Sequence, residues 1–313
     1  KFPHDIQKNW KQHFSNNRVD FTASGILACD YFNTVSETFL EELVNNYYPE
    51  IVPYSIYTTI KEKFAQNRAV AITNAPNDTI NPKIMPNIIN FNKHTVKEKK
   101  PENKKLFQKR MGLPQKSDIP LFFWPNRLYY QKAPDILLDN LEYYNKKYKF
   151  QLAVVANGNE KYEKQLQKFS AKYPNIAYRS FQEDLSNLGK AGADFILMPS
   201  RYEPCGLPQM EVLRFGTLPI VRSTGGLKDT ISHLDIEKSE GNGFVFLMAD
   251  KQGLEYGISE ALKFYSQPSE IKLREIKRIM SSSKRQFNLK KTARKYKEIY
   301  DKLINEKQEY DEI

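Results

Sequence analysis

Residues 193–231 read ADFILMPSRYEPCGLPQMEVLRFGTLPIVRSTGGLKDTI. Two short, continuously apolar runs, ADFILMP (193–199) and TLPIVRS (217–223), are each followed by a turn rich in Pro, Gly and small polar residues. Each turn leads into a helical segment, about 207–215 and from 225. Apolar runs this short suit strands covered on both faces, and the helices between them supply the crossovers that parallel strands require. The alternation extends outward in both directions. Upstream stand PLFFWP (120–125), a helix over 132–146, QLAVVA (151–156), a helix over 159–173, IAYRSF (176–181) and a helix over 183–190; downstream stand GFVFLM (243–248) and a helix over 251–266. Strands alternating with helices in this way predict a doubly wound, Rossmann-like α/β domain. Ligands of such sheets bind beyond the carboxyl ends of the strands, here the loops after residues 125, 156, 181, 199 and 223.

The chain has 313 residues, of which 40% are apolar and 27% charged, so it can bury a core and has neither a disordered nor a collagen-like composition. No apolar run approaches the 18 or so residues of a membrane helix. Two cysteines, Cys29 and Cys205, are too few for a disulfide framework, and Lys1-Phe2-Pro3 opens no signal pattern, which favours a reducing cytoplasm. The absence of an initial Met suggests a processed product or an excised piece.

The net charge of +11 is unevenly placed. Residues 271–297 hold eleven Lys or Arg against the single acid Glu275, whereas residues 298–313 hold two against six acids. Within the basic run, Ile271, Leu273, Ile276 and Ile279, then Phe287, Leu289 and Tyr296, recur at helical spacing. The run reads as one or two amphipathic helices with a solvated cationic face, or as a surface attracting an anionic partner. No nucleic-acid-binding signature accompanies it, so a nucleic-acid partner is not expected.

Near residue 118 the character of the chain changes. Residues 83–116 are rich in Lys, Asn and Pro, with a short helix around 103–111, and read as a connection between two units. Before it stand a strand YFNTVS (31–36), a helix opening at Ser36, a helix near 55–65 and a strand AVAITN (69–74). The expected organisation is therefore residues 1–118 as part of one domain plus a connection, 119–288 as the Rossmann-like domain, and 289–313 as a helix returning toward residues 20–75.

Chemistry concentrates in three loops. After 125 comes NRLYYQKAPD, in which Arg127 and Lys132 either cradle phosphate or merely solvate the loop. After 199 comes SRYEPCGLPQME, with Glu203 at the end of the loop region and Glu211 two helical turns along; Pro204, Gly206 and Pro208 shape backbone able to present amides to anions or sugar hydroxyls. After 223, Ser223-Thr224-Gly225-Gly226 places small residues at another helix start, allowing close approach of a ligand.

The run PSRYEPCGLPQMEVLRFGTLPIVRSTGGLKDTI (199–231) closely resembles the signature of bacterial glycogen synthases and plant starch synthases, retaining glucosyltransferases of the two-domain GT-B fold. NRLYYQKAPD (126–135) and AGADFILMPS (191–200) share the likeness, and ACDYFNTVSETFLEEL (28–43) does so more faintly. The resemblance implies that Arg127 and Lys132 hold the donor diphosphate and that Glu203 supports the positive charge developing on the sugar. By the same resemblance the backbone of Cys205, Gly206 and Leu207 meets the sugar, and Thr224, Gly225 and Gly226 lie beside the phosphates. Phe181 falls where the family places a base-stacking Tyr; a core aromatic is the other reading. No cofactor and no metal is implied, because cations and helix dipoles do the work of a metal in these enzymes.

Departures from the pattern bear on function. Glu211 replaces the family's common Tyr and with Glu203 forms the Glu-x7-Glu pair of the wider retaining group, in which the second Glu binds the ribose. Ala133 stands for a Gly, Asn126 for a Ser, and Ala156-Asn157-Gly158-Asn159 for a Gly-Ser-Gly-Asp loop. The Lys-x-Gly-Gly loop and catalytic His of the family's other half have no counterpart; His4, His13, His94 and His233 sit in no matching context. The expected activity is transfer of glucose from ADP-glucose, or UDP-glucose, to the non-reducing end of an α-1,4-glucan, these 313 residues alone being inactive. Alternatives are a retaining GT-B transferase with a non-glucan acceptor and a non-catalytic nucleotide-sugar- or glucan-binding module.

Overall fold

The computed structural model describes residues 14–15 and 18–311. His4 and His13 lie outside the described residues. The chain forms two compact units, one from residues up to 74 and from 290, the other from 75 to 289.

In the smaller unit, β1 (Phe14–Ser15) and β2 (Arg18–Val19) pair antiparallel, and β3 (Phe32–Thr34) pairs in parallel with β4 (Ala69–Ala71). The Asp20 carboxylate caps α1 (Phe21–Ala28) by accepting from the Thr22 and Ala23 amides at 3.0 Å, which accounts for a helix that the mixed sequence FTASGILA did not suggest. Ser36 caps α2 (Glu37–Val44) as its sequence predicts, its hydroxyl accepting from the Phe39 amide at 2.9 Å. With α3 (Tyr54–Ala65), these elements enclose Ile26, Leu40, Leu43 and Ile60.

The larger unit contains α4 (Val96–Met111), β5 (Leu121–Trp124), a 3-10 turn (Tyr130–Lys132), α5 (Pro134–Leu138), α6 (Leu141–Lys147), β6 (Gln151–Val155), α7 (Glu160–Lys172) and β7 (Ile176–Arg179). There follow α8 (Glu183–Gly192), β8 (Phe195–Met198), α9 (Pro208–Leu213), β9 (Leu218–Arg222), α10 (Gly225–Thr230), β10 (Phe244–Phe246), α11 (Lys251–Tyr265) and α12 (Ser269–Gln286). The last helix, α13 (Leu289–Asp311), runs into the smaller unit. The six strands are all parallel in the order β10-β9-β8-β5-β6-β7. Leu121, Phe122, Phe123 and Trp124 are all buried, as a central strand covered on both faces requires. From β5 the chain winds outward through β6 and β7, then returns to place β8 on the other side of β5. The order therefore reverses between β5 and β8, and the crevice above that point is where such sheets hold ligands.

Three expectations are corrected. The division between units lies at residue 74 rather than near 118, because α4 packs on the sheet unit: the Phe107 ring meets Phe123 edge-on at 5.4 Å, and Gln108 donates to the Gln151 side chain at 2.7 Å. The helix expected to start near 103 begins at Val96 and runs through Pro101, a residue that ordinarily interrupts a helix. The single helix expected over 132–146 is two, parted at Asp139 and Asn140, where the Asn140 amide side chain donates to the Ile136 carbonyl at 3.1 Å.

Candidate functional site

The loops leaving β5 and β8 meet above the reversal point. Lys132, at the end of the 3-10 turn, donates from Nζ to Oε2 of Glu203, which also accepts from the Ser200 hydroxyl at 3.1 Å. Glu203 is 4% exposed. A carboxylate that deep needs a counter-charge and donors to offset its lost hydration, and Lys132 and Ser200 supply them. Both bonds fall on Oε2, leaving Oε1 to accept from a ligand.

Residues that sequence reading did not single out hold these loops in register. The Arg201 guanidinium forks onto the Asp135 carboxylate at 2.8 and 2.5 Å, lies 4.2 Å over the Tyr130 ring and donates to the Tyr130 carbonyl at 3.0 Å. That guanidinium is the main reason the Asp135 carboxyl titrates below its ordinary value. Backbone joins the same two loops: the Arg201 amide donates to the Gln131 carbonyl at 2.8 Å. From β9, Arg222 donates to the Arg201 and Ser200 carbonyls at 2.5 and 3.3 Å. The signal for this bracing was two arginines and an acid in neighbouring loops, which spacing alone could not pair.

The third loop closes on the second. The Gly226 amide donates to the Glu203 carbonyl at 2.8 Å, and a Cβ on Gly226 would stand 2.1 Å from the Cys205 carbonyl oxygen, so only glycine permits this approach. Thr224, Gly225, Gly226 and Cys205 are buried, whereas Leu207 is 38% exposed at the mouth of its loop. Gly206 sits at φ +69°. Gln209 fastens the turn from inside, donating to the carbonyls of Cys205 and Gly206 at 3.0 and 2.7 Å.

The other expected residues have contacts of their own. Arg127 is exposed, its guanidinium 5.8 Å from the centre of the Tyr129 ring, with no ion-pair partner among the described residues. Glu211 on α9 is paired with Lys190 of α8 at 2.8 Å, both carboxylate and ammonium mostly enclosed. Phe181, after β7, is 51% exposed and its amide donates to Asn157 Oδ1 at 2.8 Å, so it is a surface ring rather than a core aromatic. Ala133, where the resembling family has glycine, adopts φ +53°. That left-handed conformation costs an alanine roughly 1 kcal/mol, a strain that a glycine would not bear. Of the histidines among the described residues, His94 is exposed and His233 accepts from the Val245 amide through Nδ1 at 3.2 Å.

A six-stranded parallel sheet in this order, with charged loops converging at its reversal point, defines a Rossmann-type ligand-binding unit. The chain belongs to the glycosyl transferases group 1 family, whose model matches residues 107–296. It is similar to the glycogen synthase of Fervidobacterium nodosum, 38% identical over 80% of this chain and 50% of that one. The glycogen synthase of Bacillus subtilis is 33% identical over 96% of this chain and 62% of that one. Among solved structures it is similar to the catalytic domain of starch synthase IV from Arabidopsis thaliana bound to ADP and acarbose, with a TM-score of 0.75 and 26% identity over 90% of this chain and 59% of that one. The α/β architecture is thus that of a GT-B glycosyltransferase, and the chain spans about half to three fifths of the length of these relatives. No helix among the described residues is long and apolar enough to cross a membrane.

Proposed function

We propose that this chain carries the donor side of a glycogen or starch synthase-type reaction, in which the whole protein moves glucose from a nucleotide sugar to the non-reducing end of an α-1,4-glucan with retention. The observation that carries the reading is the enclosed Lys132–Glu203 pair at the reversal point of the sheet. The ADP named for the starch synthase structure favours ADP-glucose over UDP-glucose as donor, and the acarbose named there supports a glucan acceptor. In this reading Arg127 and Lys132 face the diphosphate. The bond between the anomeric carbon and the phosphate oxygen breaks with its electron pair leaving on the diphosphate, whose negative charge the two cations stabilise. The acceptor hydroxyl attacks the same face of the anomeric carbon, its proton passing to the leaving phosphate oxygen, while Glu203 supports the positive charge on the ring. Phe181 offers an exposed ring for the nucleotide base, and Glu211 lies on the helix where the ribose would reach.

A screen of ADP-glucose and UDP-glucose against glycogen, maltooligosaccharides and non-glucan acceptors, with the full-length protein, tests the reading. Glu203→Gln in that protein is expected to lose turnover by about two orders of magnitude while donor affinity changes little, the pattern of an interaction made mainly in the transition state. Transfer only to a non-glucan acceptor, which the Glu203 and Glu211 spacing accommodates, would replace the glucan reading. A Gln variant that melts earlier but turns over normally would make Glu203 structural.

A further inference from the structure

At the opposite end of the sheet, where β8 and β9 begin, α4, α11 and α12 surround a cavity of about 270 Å³. Its walls carry Lys100, Lys104 and Lys272 beside Asp194, with Phe264, Leu273 and Ile276 supplying apolar surface. The charges are unequally matched. Lys104 is paired with Asp194 at 2.8 Å. Lys100 is buried and, among the described residues, donates to neutral acceptors, the Ala191 and Phe215 carbonyls at 3.2 Å each and the Thr217 hydroxyl at 2.6 Å. Lys272 likewise donates to a carbonyl, that of Tyr265, at 2.6 Å and lies 4.6 Å over the Tyr265 ring. Among the described residues, then, neither Lys100 nor Lys272 donates to a carboxylate, although Asp194 and Glu270 line the same cavity. Desolvation holds both below the ordinary lysine range, outweighing the opposing attraction of Asp194.

We propose that this cavity is a binding site for a small organic monoanion, its carboxylate between Lys100 and Lys272 and its apolar body against Phe264, Leu273 and Ile276. Volume, charge and wall agree on that class. A cavity this size admits a ring and a short chain. An inorganic anion would leave the apolar wall uncovered, and a neutral molecule would gain nothing from the positive charge of the two lysines. The exposed cations at the rim, such as Lys97, add attraction at longer range, and exposed Glu270 opposes it. The site is distinct from the loops that carry Lys132 and Glu203, which leave the other ends of the strands.

Titration of the intact chain with 4-phenylbutanoate, followed by saturation-transfer NMR, tests the proposal. Binding in the millimolar range or tighter is expected, weakened tenfold or more when the neutral 4-phenylbutanamide is used instead, and similarly weakened in Lys100→Met and in Lys272→Met. Lys272 lies on a half-exposed helix face, so its variant keeps the test decisive if Lys100→Met does not fold. Equal affinity for the acid and its amide, inorganic phosphate displacing the acid at equal concentration, unchanged binding in a folded variant, or no transfer at roughly 10 mM would each overturn the assignment.

Discussion

Arg127 and Lys132 lie five positions apart on one loop yet carry different loads. Lys132 neutralises a buried carboxylate, whereas Arg127 is exposed and unpaired among the described residues. If both face a diphosphate, replacing either with Ala lowers ADP affinity by roughly 1.5–3 kcal/mol, the range for charge-assisted hydrogen bonds. Only Lys132→Ala also strands Glu203, so it alone is expected to lower folding stability, by about 3 kcal/mol, while Arg127→Ala stays within about 0.5 kcal/mol of the parent. Calorimetry with ADP and thermal melts of both variants separate the two effects; unchanged affinity in both removes these cations from the site. Lys100 makes a prediction about pH. Burial lowers its folded pKa to about 7 from 10.5, with Asp194 opposing and Lys104 adding to the shift. Between those values the unfolded chain keeps a proton that the folded chain has released. Stability from this group therefore rises with pH across that window, by at most about 1.4 kcal/mol per unit, and falls away as pH drops through 7. Urea unfolding of the parent and Lys100→Met at pH 7 and pH 9 is expected to show the parent gaining on the variant. Parallel curves would mean that Lys100 stays charged.

At the level of elements, the loop-to-helix junctions hold their shape through backbone contact, and Gly226 is the sharpest case. A methyl there meets the Cys205 carbonyl oxygen at 2.1 Å and the carbonyl carbon and Cα of the same residue at 2.5 Å, backbone atoms that cannot swing aside as a flexible side chain would. Gly226→Ala is expected to cost about 3 kcal/mol or more and to disturb the Glu203 loop, read as a lowered melting temperature together with weaker ADP binding. An unchanged melt would mean that the α10 start can shift. The sheet was legible because every strand from β5 to β10 is a short apolar run, a pattern that survives without knowledge of neighbours. The Lys-rich segment before β5 misled for a physical reason. Lys100 and Lys104 bury their stems; Lys100 ends on the Ala191 carbonyl, and Lys104 reaches Asp194 and Tyr265 besides two nearer carbonyls, so most of these partners lie 90 or more residues later, where no local pattern reports them. The bracing fork of Arg201 on Asp135 was hidden likewise, while Glu203 and Lys132 stood out because their loops sit at strand ends. Glu275, the lone acid in a basic run, is wholly buried and accepts from Arg274 and Arg278 at 3.0 and 2.7 Å. Part of that positive charge is therefore spent inside the fold.

For the molecule as a whole, the chain leaves the smaller unit at residue 74, builds the sheet unit and returns at 290, so the smaller unit depends on two distant segments. The returning helix α13 meets that unit along a narrow stripe: Thr292, Tyr296, Ile299, Leu303 and Glu306 are half-buried at alternating spacings of four and three, while Leu289 is 44% exposed and most of the lysines and arginines face outward. Along the stripe, the Thr292 hydroxyl donates to the Thr73 carbonyl at 2.9 Å, Asn33 donates to the Tyr296 hydroxyl at 3.2 Å, and Arg68 pairs with Glu306 at 2.7 Å. Two of those anchors, Asn33 and Arg68, stand on β3 or immediately before β4, and a two-stranded sheet is too small to hold itself without such support. Removing residues 290–313 is therefore expected to raise amide exchange in β3 and β4 by about tenfold or more while β5 through β10 keep their protection, because the core of the larger unit contains none of the deleted side chains. Hydrogen-exchange mass spectrometry on the full and shortened chains makes the comparison. Unchanged protection in β3 and β4 would show that the smaller unit is held by its own Ile26, Leu40, Leu43 and Ile60 cluster alone, and loss of protection in β5 as well would show that the two units unfold as one.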